Sequence, residues 1–244
     1  LNFPHLTNAN ILVTGSSRGL GLAFVKTLSK SDVEHIYAGC RTQSGCDTIK
    51  ELNLPNVTPV LLDVTKQSDI NNLSSTISQL DLVINNAGIA SACGFSSENA
   101  LDISKAEMDV HYFGSISLIQ ALLPLLKLST KAGIINISSI AGLSNFKAMG
   151  TYSASKGALH FLTQGLRAEL SADDIFVQGV YPGPFDTRLA ANYEGPKPSP
   201  INIAESVLNS YCERQYEVFP DEFSTNMHQI FKNAPKELEE IFSQ

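Results

Sequence analysis

The chain has 244 residues, with 17 Lys and Arg against 24 Asp and Glu, a formal net charge of −7. Hydrophobic residues make up 43% and charged residues 17%, which excludes a disordered chain, since disorder goes with few apolar residues and a larger net charge. The acidic balance also speaks against a nucleic-acid binder, whose phosphate contacts need a basic face.

The length suits a single α/β core, a class that runs to about 250 residues without dividing, so residues 1–244 are read as one domain. No apolar run approaches the ~18 residues of a membrane span, and the first residues lack the basic-then-apolar layout of a secretory signal. Cys40, Cys46, Cys93 and Cys212 are scattered, without a C-x-x-C pair or a His at metal-ligand spacing. They read as free thiols in a reducing cytoplasm, with no metal site.

Short apolar runs alternate with amphipathic stretches. Residues 10–14, Asn-Ile-Leu-Val-Thr, form a buried strand that runs into glycine. Helical spacing follows over 19–29, with Leu20, Phe24, Val25 and Leu28 on one side. Between them lies Thr14-Gly15-Ser16-Ser17-Arg18-Gly19-Leu20-Gly21. Glycines at these positions permit a tight turn and let the backbone approach a pyrophosphate, while a helix N-terminus offers free N–H groups. The second strand, 35–39, is followed by Cys40 and Arg41, where an NAD site usually carries an acid for the ribose hydroxyls. Arg18 in the loop and Arg41 after the second strand suit a 2′-phosphate, so NADP(H) is expected over NAD(H).

A third strand over 57–62 ends at Asp63-Val64. The carboxylate would either accept from an adenine amino group or cap the next helix, expected over 69–80. The fourth strand, 81–84, runs into Asn85-Asn86-Ala87-Gly88, where small residues admit a cofactor and asparagines bridge strand ends. A long helix is expected over 105–126 and a fifth strand over 133–138, ending at Ser138-Ser139. The helix over 152–170 opens with Tyr152-Ser153-Ala154-Ser155-Lys156. A spacing of four puts Tyr152 and Lys156 on one helical face. An ammonium ~4 Å from the phenol, at an effective dielectric of ~20, favours phenolate by about 4 kcal/mol and would bring Tyr152 near pH 7. Thirteen residues separate Ser139 from Tyr152, enough for a loop that returns the helix to the strand end. A sixth strand is expected over 175–181. The Pro- and Gly-rich residues 192–200 follow, read as part of a substrate flap over 188–200 or as a plain connector. A short seventh strand is expected at 217–220.

Apolar strands alternating with helices predict an α/β fold, a doubly wound parallel sheet (Rossmann fold) of about seven strands with helices on both faces.

The motif set resembles the short-chain dehydrogenase/reductase family, in its single-domain carbonyl-reductase-like branch. It comprises T-G-x-x-x-G-x-G at 14–21, N-N-A-G at 85–88, Ser139, Y-x-x-x-K at Tyr152 and Lys156, and Pro182-Gly183 with Thr187. The resemblance implies a dinucleotide-binding oxidoreductase. Tyr152 would be the catalytic acid/base, Lys156 would lower its pKa and bind the nicotinamide ribose, and Ser139 would orient a carbonyl. Gly15, Ser17, Arg18 and Leu20 would line the phosphates, Arg41 the 2′-phosphate, and Asp63 and Val64 the adenine. Asn86, Ala87 and Gly88 would line the ribose side, and Pro182, Gly183, Phe185 and Thr187 the nicotinamide.

Two departures stand out. His111, in Val110-His111-Tyr112-Phe113-Gly114, occupies the family's asparagine position, where it would join a proton relay or simply pack. The chain end lacks the glycine-rich strand that builds many family tetramers, so a homodimer through the two long helices is expected over a tetramer. The expected partner is a small carbonyl or alcohol, with no nucleic acid and no membrane. Ala141, Leu143, Phe146, Met149, Phe185, Leu189 and Tyr193 are the candidate pocket wall and favour an apolar substrate. Two other functions stay open. One is an NADP(H)-binding sensor or scaffold without turnover, motivated by His111; the other is a cofactor-independent lyase.

Overall fold

The apolar runs pair as strands β1 (Asn10–Thr14), β2 (His35–Cys40), β3 (Val57–Leu61), β4 (Leu82–Asn85), β5 (Gly133–Ile137), β6 (Phe176–Val180) and β7 (Glu217–Val218). The computed structural model describes residues 2–186 and 194–244. Among them the seven strands form one parallel sheet in the order β3-β2-β1-β4-β5-β6-β7. β1, β4, β5 and β6 are buried along their whole length, which is why they read as continuous apolar runs.

Side chains alternate between two faces. Ile11, Val13, Leu82, Ile84, Ile135 and Val180 join one core cluster with Phe24, Val25 and Leu28 of α1 (Gly19–Leu28) and Val207 and Leu208 of α7 (Pro200–Cys212). Leu12, Val83, Ile134 and Val177 join the opposite cluster. Its helical members include Ile70 and Leu73 of α3 (Gln67–Thr76) and Leu118, Ile119 and Leu122 of α5 (Gly114–Leu126). α6 (Gly150–Glu169) lies against β6 and the C-terminal side of β5. The order reverses between β1 and β4, and the crevice at the carboxyl ends of strands at such a switch point is where ligands bind in open α/β sheets.

Several boundaries differ from the sequence reading. The long helix starts at Ala100 rather than residue 105. α4 (Ala100–Met108) passes through a π-helical turn (Asp109–Phe113) into α5. A Cβ on Gly114 would meet Asp109 O and Val64 O, both at 2.9 Å. Glycine there lets the widened turn sit directly on the end of the β3 segment. Within the run from Ala100 to Leu126 an 18-residue window reaches a mean hydropathy of 1.2, long and apolar enough for a span, against the sequence reading that no run approaches that length. Leu118, Ile119, Leu122 and Leu126 nevertheless pack into the core.

α2 (Gln43–Lys50), capped by Thr42 accepting from the Gly45 N–H, was not expected. The α3 helix ends at Thr76, four residues short of the expected 80. Pro200, expected in the flap or connector, is instead the first residue of α7, behind a Ser199 N-cap. Of the expected flap, 188–193 lie outside the described residues, as do Thr187, Leu189 and Tyr193. The polar tail folds as α8 (Glu222–Asn233) and α9 (Pro235–Phe242), and α8 opens with a reciprocal capping box between Asp221 and Ser224.

Candidate active site

The glycine loop sits at the end of β1. Gly15 has φ +67° and Gly19 φ +56°. A Cβ on Gly15 would fall 2.9 Å from Ala87 Cα, and one on Gly21 2.2 Å from Gly15 O and 2.6 Å from Asn86 Nδ2. No side chain fits either place. Asn86 braces the loop by donating its amide to Thr14 O at 2.8 Å. Thr14 Oγ1 accepts from the N–H groups of Asn86 and Ala87, at 2.9 and 2.8 Å. No side chain caps α1, which starts behind Arg18 with no acid in its first turn. Its free N–H groups and dipole therefore favour an anion, and a dinucleotide phosphate fits this cradle. Leu20 is buried beneath it, and Ser17 is half-buried at its rim.

Arg18 and Arg41 are exposed, and neither is in an ion pair among the described residues. Because Thr14 pairs with Gly39 across β1 and β2, both arginines rise from the same edge of the sheet. Asp63 is more committed than expected: Oδ1 accepts from Thr65 N–H and Oγ1, at 3.1 and 2.7 Å. The residue before α3 is Lys66, so Asp63 caps a turn and not the helix. Val64 is buried among the α3 and α5 core residues.

Ser139 and Tyr152 meet as the spacing predicts. Ser139 follows β5, and its Oγ accepts from Ala141 N–H at 3.2 Å, capping a 3-10 turn (Ile140–Gly142). Its hydroxyl also lies near the Tyr152 hydroxyl, where it favours the phenolate. The Ile140 N–H donates to Pro182 O at 3.1 Å, which ties the Pro182-Gly183 loop to the same strand end.

Lys156 is 4% exposed. Its Nζ donates to Ile137 O at 2.8 Å and stands 5.7 Å from the Tyr152 ring centroid. The electrostatics run opposite to the sequence expectation. Burial, partly offset by the nearby Ser139 hydroxyl, pushes the Tyr152 phenol up to about 12. Burial pushes Lys156 down to about 7, against a nearby Glu107 that raises it. The two-charge argument gave Tyr152 the benefit of an ammonium but left out the cost of desolvating both groups.

His111 spends both ring nitrogens. Nε2 accepts from the Ile89 N–H at 3.1 Å, so the proton sits on Nδ1, which donates to Ser155 Oγ at 2.8 Å. Ser155 in turn donates to Tyr152 O at 2.7 Å. The ring stands edge-on to Tyr152, with centroids 5.6 Å apart. Burial, and then the Lys156 cation, hold it well below the usual histidine range. It fixes the start of α6 in its neutral form and has no nitrogen left for a relay.

The bridging asparagine is Asn85, whose amide donates to Asn136 Oδ1 at 2.8 Å, while Asn136 donates to Thr163 Oγ1 at 2.9 Å. Of the expected pocket wall, Phe146 stacks edge-on against Phe242 of α9, and Leu143 packs with Ile140 and Leu238. Phe185 instead packs on the α1 and α7 cluster. Two site residues escaped sequence reading. Asp221 accepts from Gly183 N–H at 2.8 Å while capping α8, and so joins the tail to the Pro182 loop. Glu107 is fully buried one helical turn before His111. The four-residue spacing to His111 was the signal for the second.

The family profile described as short chain dehydrogenase matches residues 9–197. The chain belongs to the short-chain dehydrogenase family. An uncharacterized oxidoreductase of Staphylococcus aureus (strain MW2) is 32% identical over 210 residues, 83% of this chain and 90% of the relative. A short-chain dehydrogenase from Burkholderia cenocepacia, solved in complex with NADP, superposes with a TM-score of 0.91 at 29% identity, over 98% of this chain and 99% of that one. One from Sphingobium yanoikuyae, in complex with NADPH, gives 0.79 at 23% identity over 94% of each chain and speaks for the fold. As a short-chain dehydrogenase the protein is an oxidoreductase. Among the described residues no three His, Cys, Asp or Glu side chains are grouped to hold a metal ion.

Proposed function

We propose that this short-chain dehydrogenase is an NADP(H)-dependent carbonyl reductase that also runs in reverse as an alcohol dehydrogenase. The observation that carries the reading is the Ser139–Tyr152 hydroxyl pair with Lys156 behind it, next to an uncapped helix end and two unpaired arginines. The α1 end and loop would hold the pyrophosphate, with Arg18 and Arg41 on the 2′-phosphate. Asn86, Ala87, Gly88, Pro182, Gly183 and Thr187 would line the nicotinamide half. When bound, NADPH supplies the hydride. Ser139 and Tyr152 hold the carbonyl oxygen, and Tyr152 gives it a proton as a general acid. The partly apolar wall of Leu143, Phe146 and Met149, closed by Phe242, suits a hydrophobic ketone or aldehyde.

NADPH absorbance at neutral pH, followed with a panel of aliphatic and aromatic carbonyls, tests this. Steady NADPH-linked turnover is expected on hydrophobic members. Tight NADPH binding without turnover would favour the sensor reading, which His111 now supports less because it acts as a packing residue.

We also infer a homodimer built on α4 and α6. Phe161 (71% exposed), Leu101 (66%) and Phe113 (52%) stand out on this side. Phe161 lines a groove of about 500 Å³ with Met108, Tyr112, Leu162 and Leu166. An exposed apolar patch of this kind marks an interaction surface. Phe161→Glu is expected to convert a dimer to a monomer in sedimentation velocity; a wild-type monomer ends this reading.

A further inference from the structure

The buried acid of this site takes no part in the proposed proton transfer from Tyr152. Glu107 is 0% exposed. Its Oε1 accepts from the Ser91 N–H at 2.9 Å. Oε2 is buried and has no hydrogen-bond partner among the described residues. A buried carboxylate is stable when a positive charge or several donors compensate it, and here a single N–H does so. α4, which carries Glu107, packs along α6, which carries Tyr152 and Lys156. The groups facing this centre are few. α6 brings the Lys156 ammonium and the Tyr152 phenol, and β5 brings the Ile137 carbonyl that Lys156 already holds. The π turn brings His111, neutral and fully bonded. The loop after Gly88 brings the Ser91 N–H. Among these the one cation is Lys156 and the one acid is Glu107.

We propose that Glu107, although in no direct ion pair with it, is the through-space buried counter-ion of Lys156 and favours its ammonium form beside Tyr152. Glu107 is thus a positioning residue: it touches neither substrate nor hydride, and it acts through the lysine. A neutral amine at position 156 would give Tyr152 no electrostatic help. The buried lysine lies near the edge of losing its proton at neutral pH, because burial pulls it down to about 7 while Glu107 pulls it up. The same carboxylate opposes ionisation of Tyr152, which keeps the phenol in the form that donates. Glu107 therefore favours the protonated state of both partners. Its importance for turnover rests on the reductase reading above; the charge pairing does not.

The test uses full-length protein carrying lysine labelled with ¹⁵N at Nζ. The Lys156 resonance is identified by its absence from Lys156→Met, and its titration is followed by NMR. Glu107→Gln keeps a carbonyl oxygen for the Ser91 N–H and removes the charge. Its Lys156 midpoint is expected below the wild type by up to about one pH unit, the lower end for losing an opposite charge at close range. In turnover, the alkaline edge of kcat/KM for NADPH moves down by the same amount, since that parameter reports the free enzyme. Glu107→Ala removes both the charge and the Ser91 bond and serves as the structural comparison. A Lys156 midpoint unchanged in Glu107→Gln overturns the proposal. So does a shift in Glu107→Ala alone, which would make the residue a loop anchor. A lysine shift in a protein that reduces no carbonyl overturns the reductase reading and supports the counter-ion.

Discussion

Tyr152→Phe is expected to lower kcat for carbonyl reduction by about 100- to 10,000-fold, the usual worth of a general acid, with NADPH binding retained. The variant removes one oxygen. The ring keeps its edge-on contact with His111, and losing the hydroxyl near Ser139 costs at most about 0.5–1.5 kcal/mol, the net worth of one hydrogen bond, so the fold survives. What disappears is the proton that the developing alkoxide must receive. The direction of the pH dependence follows from the raised phenol, pushed up to about 12. Across neutral pH Tyr152 holds its proton, the form that reduction consumes, so reduction loses Tyr152 as a donor only in the alkaline range. Alcohol oxidation needs the phenolate, the minor form at neutral pH, and its rate rises as pH rises toward the phenol's own range. The measurement is kcat against pH in both directions. A Phe variant as fast as its parent, or an oxidation rate that falls from neutral pH upward, shows that another group moves the proton.

The contrast between Tyr152 and Lys156 shows what the sequence discloses and where it stops. Their spacing of four was legible because helix geometry alone puts them on one face, and Ser139 joined them because a strand end and a helix start in this fold share an edge. The sign of the electrostatics was not legible. It depends on how deeply each group is buried, and burial is set by residues remote in the chain, such as Glu107 on α4 and Ile137 on β5. The central strands were legible one by one, because strands covered on both faces are apolar throughout. The helices of the tail were not. α8 rests on a capping box and a few large side chains packed on Ile140, and its sequence reads as polar. Pro200 was misread because proline stops a helix in its interior yet starts one at the first turn. His111 was noticed as a departure, but its role needed the Ile89 N–H and Ser155, which lie 22 residues before it and 44 after it.

Replacing both Arg18 and Arg41 by Ala is expected to cut kcat/KM for NADPH about 100-fold while leaving NADH nearly unchanged. On the proposed reading each guanidinium would make a charge-assisted hydrogen bond worth about 1.5–3 kcal/mol to the 2′-phosphate. Two of them would sum to a factor of about 100 to 10,000 at 1.4 kcal/mol per tenfold. Both side chains are exposed, and water and salt screen such contacts, which puts the expected loss at the low end. The effect would be selective because the proposed cradle for the pyrophosphate is backbone: the free N–H groups of α1 and the turn that Gly15 and Gly21 permit. Those serve NADH and NADPH alike, and only the 2′-phosphate distinguishes the two dinucleotides. The comparison is kcat/KM for each cofactor at low and high ionic strength. Added salt should weaken the wild type's NADPH preference and leave the double variant flat. Equal losses with NADH and NADPH would mean that the arginines hold the pyrophosphate or the loop itself, and the assignment of NADP(H) would then have no residue behind it.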